Sequence, residues 1–107
     1  MATPFHLELL SEGTETWNTW INTHPYVVAD FSEANLEHLH LDNAHLISAN
    51  FVGANLSQAT FQGADLREAF FRGTWLQGGH FSKAVFRWCD LREIDLGEVN
   101  LGAAIFV

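Results

Sequence analysis

The sequence predicts an all-β solenoid built from a five-residue unit that runs from Ala29 to the C-terminus, preceded by a short helical lid. Three observations predict it. Large apolar residues recur at every fifth position, the residue two positions before each is usually small, and polar or turn-forming residues dominate elsewhere. Such self-similarity at a fixed period marks a stacked repeat, because a single unit is too small to bury its own apolar face.

The large column reads Phe31, Leu36, Leu41, Leu46, Phe51, Leu56, Phe61, Leu66, Phe71, Leu76, Phe81, Phe86, Leu91, Leu96, Leu101 and Phe106, with only Leu or Phe at each step. The small column holds Ala29, Ala34, Ala44, Ala49, Ala54, Ala59, Ala64, Ala69, Ala84 and Ala104, with Thr74, Gly79 and Cys89. Positions two apart in an extended chain point the same way, so both columns face one interior. A helix requires apolar spacing near 3.6, and a period of five sweeps around it instead of holding one face. Continuous helix is thereby excluded. Each unit reads as an extended piece of about three residues followed by a two-residue corner, with Asn and Asp between the columns suited to side-chain bonds at the bend.

The unit resembles the motif of the pentapeptide-repeat family, Ala-(Asp/Asn)-Leu-x-x, which stands unaltered in Ala34-Asn35-Leu36, Ala54-Asn55-Leu56 and Ala64-Asp65-Leu66. The resemblance spans residues 29–107 and implies a right-handed quadrilateral β-helix in which four pentapeptides make one square coil. About four coils at a strand spacing of ~4.8 Å would form a rod only about 19 Å long. Phe at a twenty-residue offset, in Phe31, Phe51 and Phe71, in Phe61 and Phe81, and in Phe86 and Phe106, supports such a coil by stacking like rings.

A solenoid end exposes unpaired backbone and an apolar cross-section, so it needs a cover. In Thr14 to His24, Thr14 suits the helix cap, Glu15 suits the first turn, and Trp17, Trp20 and Ile21 share a face. Pro25 blocks continuation. Leu7, Leu9 and Leu10 suggest an earlier helical turn, separated by Gly13. Residues 1–28 are assigned to a helical cap and residues 29–107 to the β-helix, together one cooperative domain. The lid, with Trp17-Asn18-Thr19-Trp20 followed by Pro25, looks like that of cyanobacterial family members. At the other end, Ile105-Phe106-Val107 close the chain with no cap in view, which predicts a homodimer through the C-terminal coil.

Composition narrows the function. The net charge of −8 opposes nucleic-acid and anionic-membrane binding, which need clustered Lys and Arg. No Lys or Arg precedes Arg67. Met1 to Leu10 lacks the basic start of a secretory signal, and the single Cys89 suits a reducing compartment, so the expected location is cytoplasmic. Phosphate loops, nucleophile elbows and His-Glu-x-x-His or Cys-x-x-Cys arrangements are missing from the chain. His38 and His40 lie near one another with His45 on the next side, and His80 shares a face with His40 two coils away, roughly 10 Å along the axis and too far for one ion. No catalytic residue, cofactor, metal or small-molecule substrate is expected.

Apolar residues at outward positions mark the candidate partner surface: Phe70, Trp75 and Trp88, with Val85 and Ile105 also out of place. Arg67 with Arg87, and Arg72 with Arg92, should stack in columns that Glu68, Glu93 and Asp90 neutralise. The expected function is a non-enzymatic protein-interaction or scaffold module for an unidentified protein. The family resemblance supplies the alternative, a DNA mimic that binds DNA gyrase or another DNA-binding protein.

Overall fold

The computed structural model describes residues 1–107. Two helices open the chain, α1 at Pro4–Ser11 and α2 at Thr14–Asn22. Pro4 sits in the first turn of α1, where its missing N–H is no loss. Gly13 separates the helices with φ 110°, a conformation in which a side chain would be strained, and it takes the N-cap position of α2. The expectation that Thr14 caps α2 is therefore corrected. Thr14 is the first helical residue, and its hydroxyl leans instead toward the carbonyl of His40.

From residue 29 onward the chain forms no strand longer than a single bridge, because each extended side turns a corner before a ladder can lengthen. The bridges are all parallel and join residues twenty apart: Asp30 to Asn50 to Phe70 to Asp90, Asn35 to Asn55 to Trp75, His40 to Thr60 to His80 to Asn100, and His45 to Asp65 to Val85 to Ile105. The backbone thus returns to the same side every twenty residues, and each side is zipped by pairs such as Phe51 N–H to Phe70 O at 2.8 Å and Phe70 N–H to Ala49 O at 2.9 Å. At the corners, turn bonds such as Ala54 N–H to Phe51 O (2.9 Å) close the bend. The second corner residue takes a positive φ throughout, for example 69° at Gly53 and 62° at Lys83. That left-handed step turns the chain by the angle an extended side lacks. Side-chain oxygens of Asn35, Asn50, Asn55 and Asn100 accept the main-chain N–H two residues on, fixing the entry to each corner.

The interior is one apolar column. Phe31, Phe51, Phe61, Phe71, Phe81, Leu41, Leu46, Leu56, Leu66 and Leu76 are essentially inaccessible, as are the alanines opposite them. Rings stack in register, Phe31 on Phe51 at 5.5 Å, Phe51 on Phe71 at 5.2 Å and Phe61 on Phe81 at 4.9 Å. Dense stacking of like shapes leaves few voids, which is where most of the stability arises. Thr74, the polar exception in the small column, donates its buried hydroxyl to Phe51 O at 2.7 Å.

The last segment departs from the regular pattern. Leu36 and Phe86 are buried, but Leu91 and Leu101 are only half-buried, and Leu96 and Phe106 are exposed. Trp75 has no bridge to Asp95, and Gly78 N–H bonds Glu98 O, one residue beyond the twenty-residue register's usual acceptor. These residues belong to the last coil of the stack, and on its irregular side Ile94 stands where Ala34, Ala54 and Thr74 stand below. With no layer above to cover them, the inward side chains of this coil meet solvent.

The two helices lie on the first segment. Trp17 is fully buried against Phe31, ring centres 5.4 Å apart, and its indole N–H donates to His45 O at 2.8 Å. Asn18 spans the joint, donating to Asn43 O at 3.0 Å and accepting the His45 N–H at 2.8 Å. His6 is buried among Trp17, Trp20 and Phe31, and its Nδ1 accepts the Asp30 N–H at 3.2 Å.

Candidate functional site

On two adjoining sides of the stack the residues between the inward columns run Asp30, Asn50, Phe70, Asp90 and Asn35, Asn55, Trp75, Asp95. Six of these eight are Asp or Asn; the segment 69–88 alone substitutes aromatics. Phe70 is 46% exposed and Trp75 62% exposed, so both spend apolar surface on water without serving the core. Because the pattern puts a short polar side chain at every other such position, their presence is not demanded by the fold.

Between these two sides runs the corner column Glu33, Gly53, Gly73 and Glu93. The two glycines carry no side chain, which cuts the edge back beside Trp75. A shallow groove of about 280 Å³ results, lined by Glu33, Ala34, Asn35, Gly53, Asn55 and Trp75. The Glu33 stem lies against Gly53, whose imagined Cβ would sit 3.4 Å from Glu33 Cγ. In the corner above, Arg72 is held by Glu93 through Nε at 2.9 Å. Mutual attraction lowers the Glu93 carboxyl and raises the Arg72 guanidinium, chiefly through that hydrogen bond.

Trp88, 71% exposed, stands apart from this surface. It occupies a corner with φ 62°, and the Arg87 guanidinium lies 5.6 Å from its ring centre, so its π face already has a cation. Ile105, Phe106 and Val107 are all exposed at the last segment, with Phe106 stacked on Phe86 at 5.2 Å. Val85 is half-buried beneath Ile105.

Glu93 and Asp90 neutralise Arg72 and Arg92 as the spacing suggests, whereas Arg67 takes Asp65 in place of Glu68 and Arg87 joins no ion pair with an acidic side chain. Arg67 pairs with Asp65 at 2.7 Å and Arg92 with Asp90 at 2.7 Å, each a fork over the residue two positions earlier, while Glu68 pairs with nothing. Hydrogen bonds from Arg92 hold the Asp90 carboxyl down at about 2. Burial pushes Asp65 up, but its bonds to Arg67 outweigh this and leave it lowered. Burial raises the Cys89 thiol to about 11, and its S–H donates to Leu66 O at 2.8 Å. No three His, Cys, Asp or Glu side chains converge closely enough to hold a metal ion, and no helix is long and apolar enough to cross a membrane.

Sequence reasoning missed the groove's Glu33 and a second apolar area. Ile47 and Val52 sit at outward corners and are exposed, and Ile47 joins Ile21, Pro25, Tyr26, Val27 and Val28 around a cleft of about 300 Å³. Ile47 and Val52 were visible in the sequence as apolar residues one step after the large column. Tyr26 to Val28 belong to no repeat, and nothing in their spacing marks them.

The family profile described as pentapeptide repeats, with eight copies, matches residues 29–67, 46–82 and 64–102. No curated protein matches the chain in sequence. Among solved structures, a pentapeptide repeat protein from the thylakoid lumen of Arabidopsis thaliana is 33% identical, with a TM-score of 0.69 over 72% of this chain and 54% of that one. A pentapeptide repeat protein from Nostoc PCC 7120 is 26% identical, with a TM-score of 0.68 over 78% and 73% of the two chains. QnrB1, a plasmid-mediated fluoroquinolone resistance protein, is 24% identical with a TM-score of 0.67 and matches in fold, over 77% of this chain and 39% of its own. The chain therefore spans about half the length of the Arabidopsis protein and well under half of QnrB1.

Proposed function

The chain belongs to the pentapeptide-repeat family, whose members are right-handed quadrilateral β-helices, and from that premise we propose that it is a non-enzymatic protein-interaction module. Residues 29–107 are read as four coils and residues 1–28 as their helical cap, together one cooperative domain. The observation that carries the functional reading is the pair Phe70 and Trp75, exposed on adjoining sides at positions where every other segment has Asp or Asn. Large aromatics left in water at the centre of a polar surface are the residue type that anchors protein interfaces. The convex sides gather no convergent acid, base and nucleophile, which supports a binding role over a catalytic one. The lone, half-buried Cys89 supports a reducing, cytoplasmic setting.

The test is a pull-down from the source organism's extract with the wild-type chain and with Phe70→Ser/Trp75→Ser. The reading predicts that specific partners drop out with the double variant. Retention of every partner removes it.

DNA mimicry is the second reading, favoured by the net charge of −8. Its magnitude counts against it. The molecule is 33 Å long, and duplex DNA of that length carries about 19 phosphate charges at ~1.7 Å each. The five basic residues, all between Arg67 and Arg92, break the acidic surface further. A gyrase supercoiling assay decides it: no inhibition at high protein concentration eliminates mimicry.

A further inference from the structure

We propose that the groove beside Trp75 receives an arginine side chain from a basic segment of a partner protein, its guanidinium stacked on the Trp75 indole and paired with Glu33. The inference rests on the aromatic-surface reading above and specifies the chemistry that surface selects.

Charge favours a cation at this groove. Residues 1–66 contain no Lys or Arg, and all of the molecule's excess negative charge arises there. Glu33 is exposed, lines the groove, and takes part in none of the molecule's ion pairs. Glu37 reaches only His38, at 3.4 Å, and Asp95 follows Trp75 in the outward column. Arg72, in the adjacent corner, is already held by Glu93 through Nε and Nη2. A cation entering the groove therefore meets carboxylate without displacing an existing partner.

The two exposed tryptophans differ in their surroundings. Trp88 has Arg87 over its ring, whereas Trp75 has no intramolecular cation and lies at the edge of an acidic groove. The molecule thus leaves vacant at Trp75 the pairing it completes for itself at Trp88. Arginine fits better than lysine, because its planar group can stack on an indole while its edge still forks a carboxylate.

The polar lining also suits a peptide segment. Asn35 and Asn55 use their side-chain oxygens to accept the N–H groups of Glu37 and Ser57. Their carboxamide nitrogens form no hydrogen bond within the chain and stack along the same side as Trp75. These donors are placed for main-chain carbonyls of the segment that delivers the arginine. The cut-back corner at Gly53 and Gly73 gives that segment room to approach.

The test uses the full chain, labelled with nitrogen-15, titrated with the peptide acetyl-Ala-Arg-Ala-amide and with its neutral citrulline counterpart. The expected result is a saturable shift of the Trp75 indole N–H signal, assigned with Trp75→Phe, with no shift at Trp17. The citrulline peptide should bind about tenfold more weakly, from the combined loss of an exposed cation–π contact and an exposed ion pair. Glu33→Gln should weaken the arginine peptide several-fold while the buried Trp17 signal, a monitor of folding, stays in place. Equal affinity for the two peptides, an unaffected Glu33→Gln, or no movement at Trp75 overturns the proposal. If Phe70→Ser/Trp75→Ser empties the pull-down while the arginine peptide fails to bind, the arginine assignment is refuted and the aromatic surface stands. If the peptide binds as described but the pull-down is unchanged, the groove's preference for arginine stands while its use by a partner protein, and the surface reading with it, falls.

Discussion

Truncating Leu56 to Ala removes three buried carbons from the middle of the stack, between Leu36 and Leu76. Leu56 is fully inaccessible, and its own backbone is pinned on both sides, by Leu56 N–H to Trp75 O at 2.8 Å and Asn55 N–H to Ala34 O at 2.9 Å. The coils cannot slide together to refill the space, because each is tied to its neighbours by the same ladder. Most of the cavity therefore persists, and the cost falls in the upper part of the usual Leu→Ala range of about 2 to 5 kcal/mol, at roughly 3 to 5. Against a domain stability of about 5 to 15 kcal/mol this is a large fraction. Equilibrium urea unfolding reads it directly: with a slope near ~2 kcal/mol/M, the midpoint should fall by about 2 M with the slope unchanged. Gln62→Ala, at an exposed corner, should stay within about 0.5 kcal/mol of wild type. A Leu56→Ala midpoint indistinguishable from that of Gln62→Ala refutes the reasoning, because it would mean the inward column is not packed.

Other consequences follow from particular contacts. Thr74→Val keeps the shape but loses the buried bond to Phe51 O, and should cost about 1 kcal/mol in the same unfolding assay. Lys83 holds φ at 62°, so Lys83→Gly should be more stable than Lys83→Val by about 1 to 2 kcal/mol, since glycine alone occupies that region without strain. His6 is lowered by burial, only partly offset by Asp30, so the unfolded chain binds its proton more readily than the folded one. Stability should accordingly be complete above the unfolded histidine range near ~6.5 and decline as pH falls below it. Thermal unfolding from pH 8 to 5 measures this, and His6→Phe should flatten that part of the profile. Cys89, raised to about 11, should react with a thiol reagent at pH 8 at least about tenfold more slowly in the native protein than in denaturant.

The fold was legible because one constraint repeats. A Leu or Phe at every fifth position admits few backbones, and the stacked rings of Phe31, Phe51 and Phe71 follow from their twenty-residue offset. The corners were legible only in part. Gly53, Gly63, Gly73 and Gly78 mark the left-handed position, yet Glu33, Gln58, Lys83 and Trp88 adopt the same φ because ladders on both sides impose it. The missing bridge between Trp75 and Asp95 was not legible, since Leu96 fits the column by residue type and nothing in the spacing marks the break. Phe70 and Trp75 were readable as apolar residues at polar positions. Glu33 was not, for its relation to Trp75 exists only once the twenty-residue return sets both beside Gly53. His6 also escaped notice, because a single histidine among lid residues gives no sign that its ring will accept the Asp30 N–H.

The stacked core and the surface around Trp75 both depend on the chain returning to the same side after twenty residues. Disulfide trapping tests that return most directly. In a Cys89→Ser background, Thr60→Cys/His80→Cys places thiols on bridged neighbours, whose Cα separation of roughly 5 Å suits a disulfide. Rapid oxidation of this pair, with none for the control Thr60→Cys/Val85→Cys on adjoining sides, is the predicted result. Oxidation of the control in preference to the bridged pair contradicts the account.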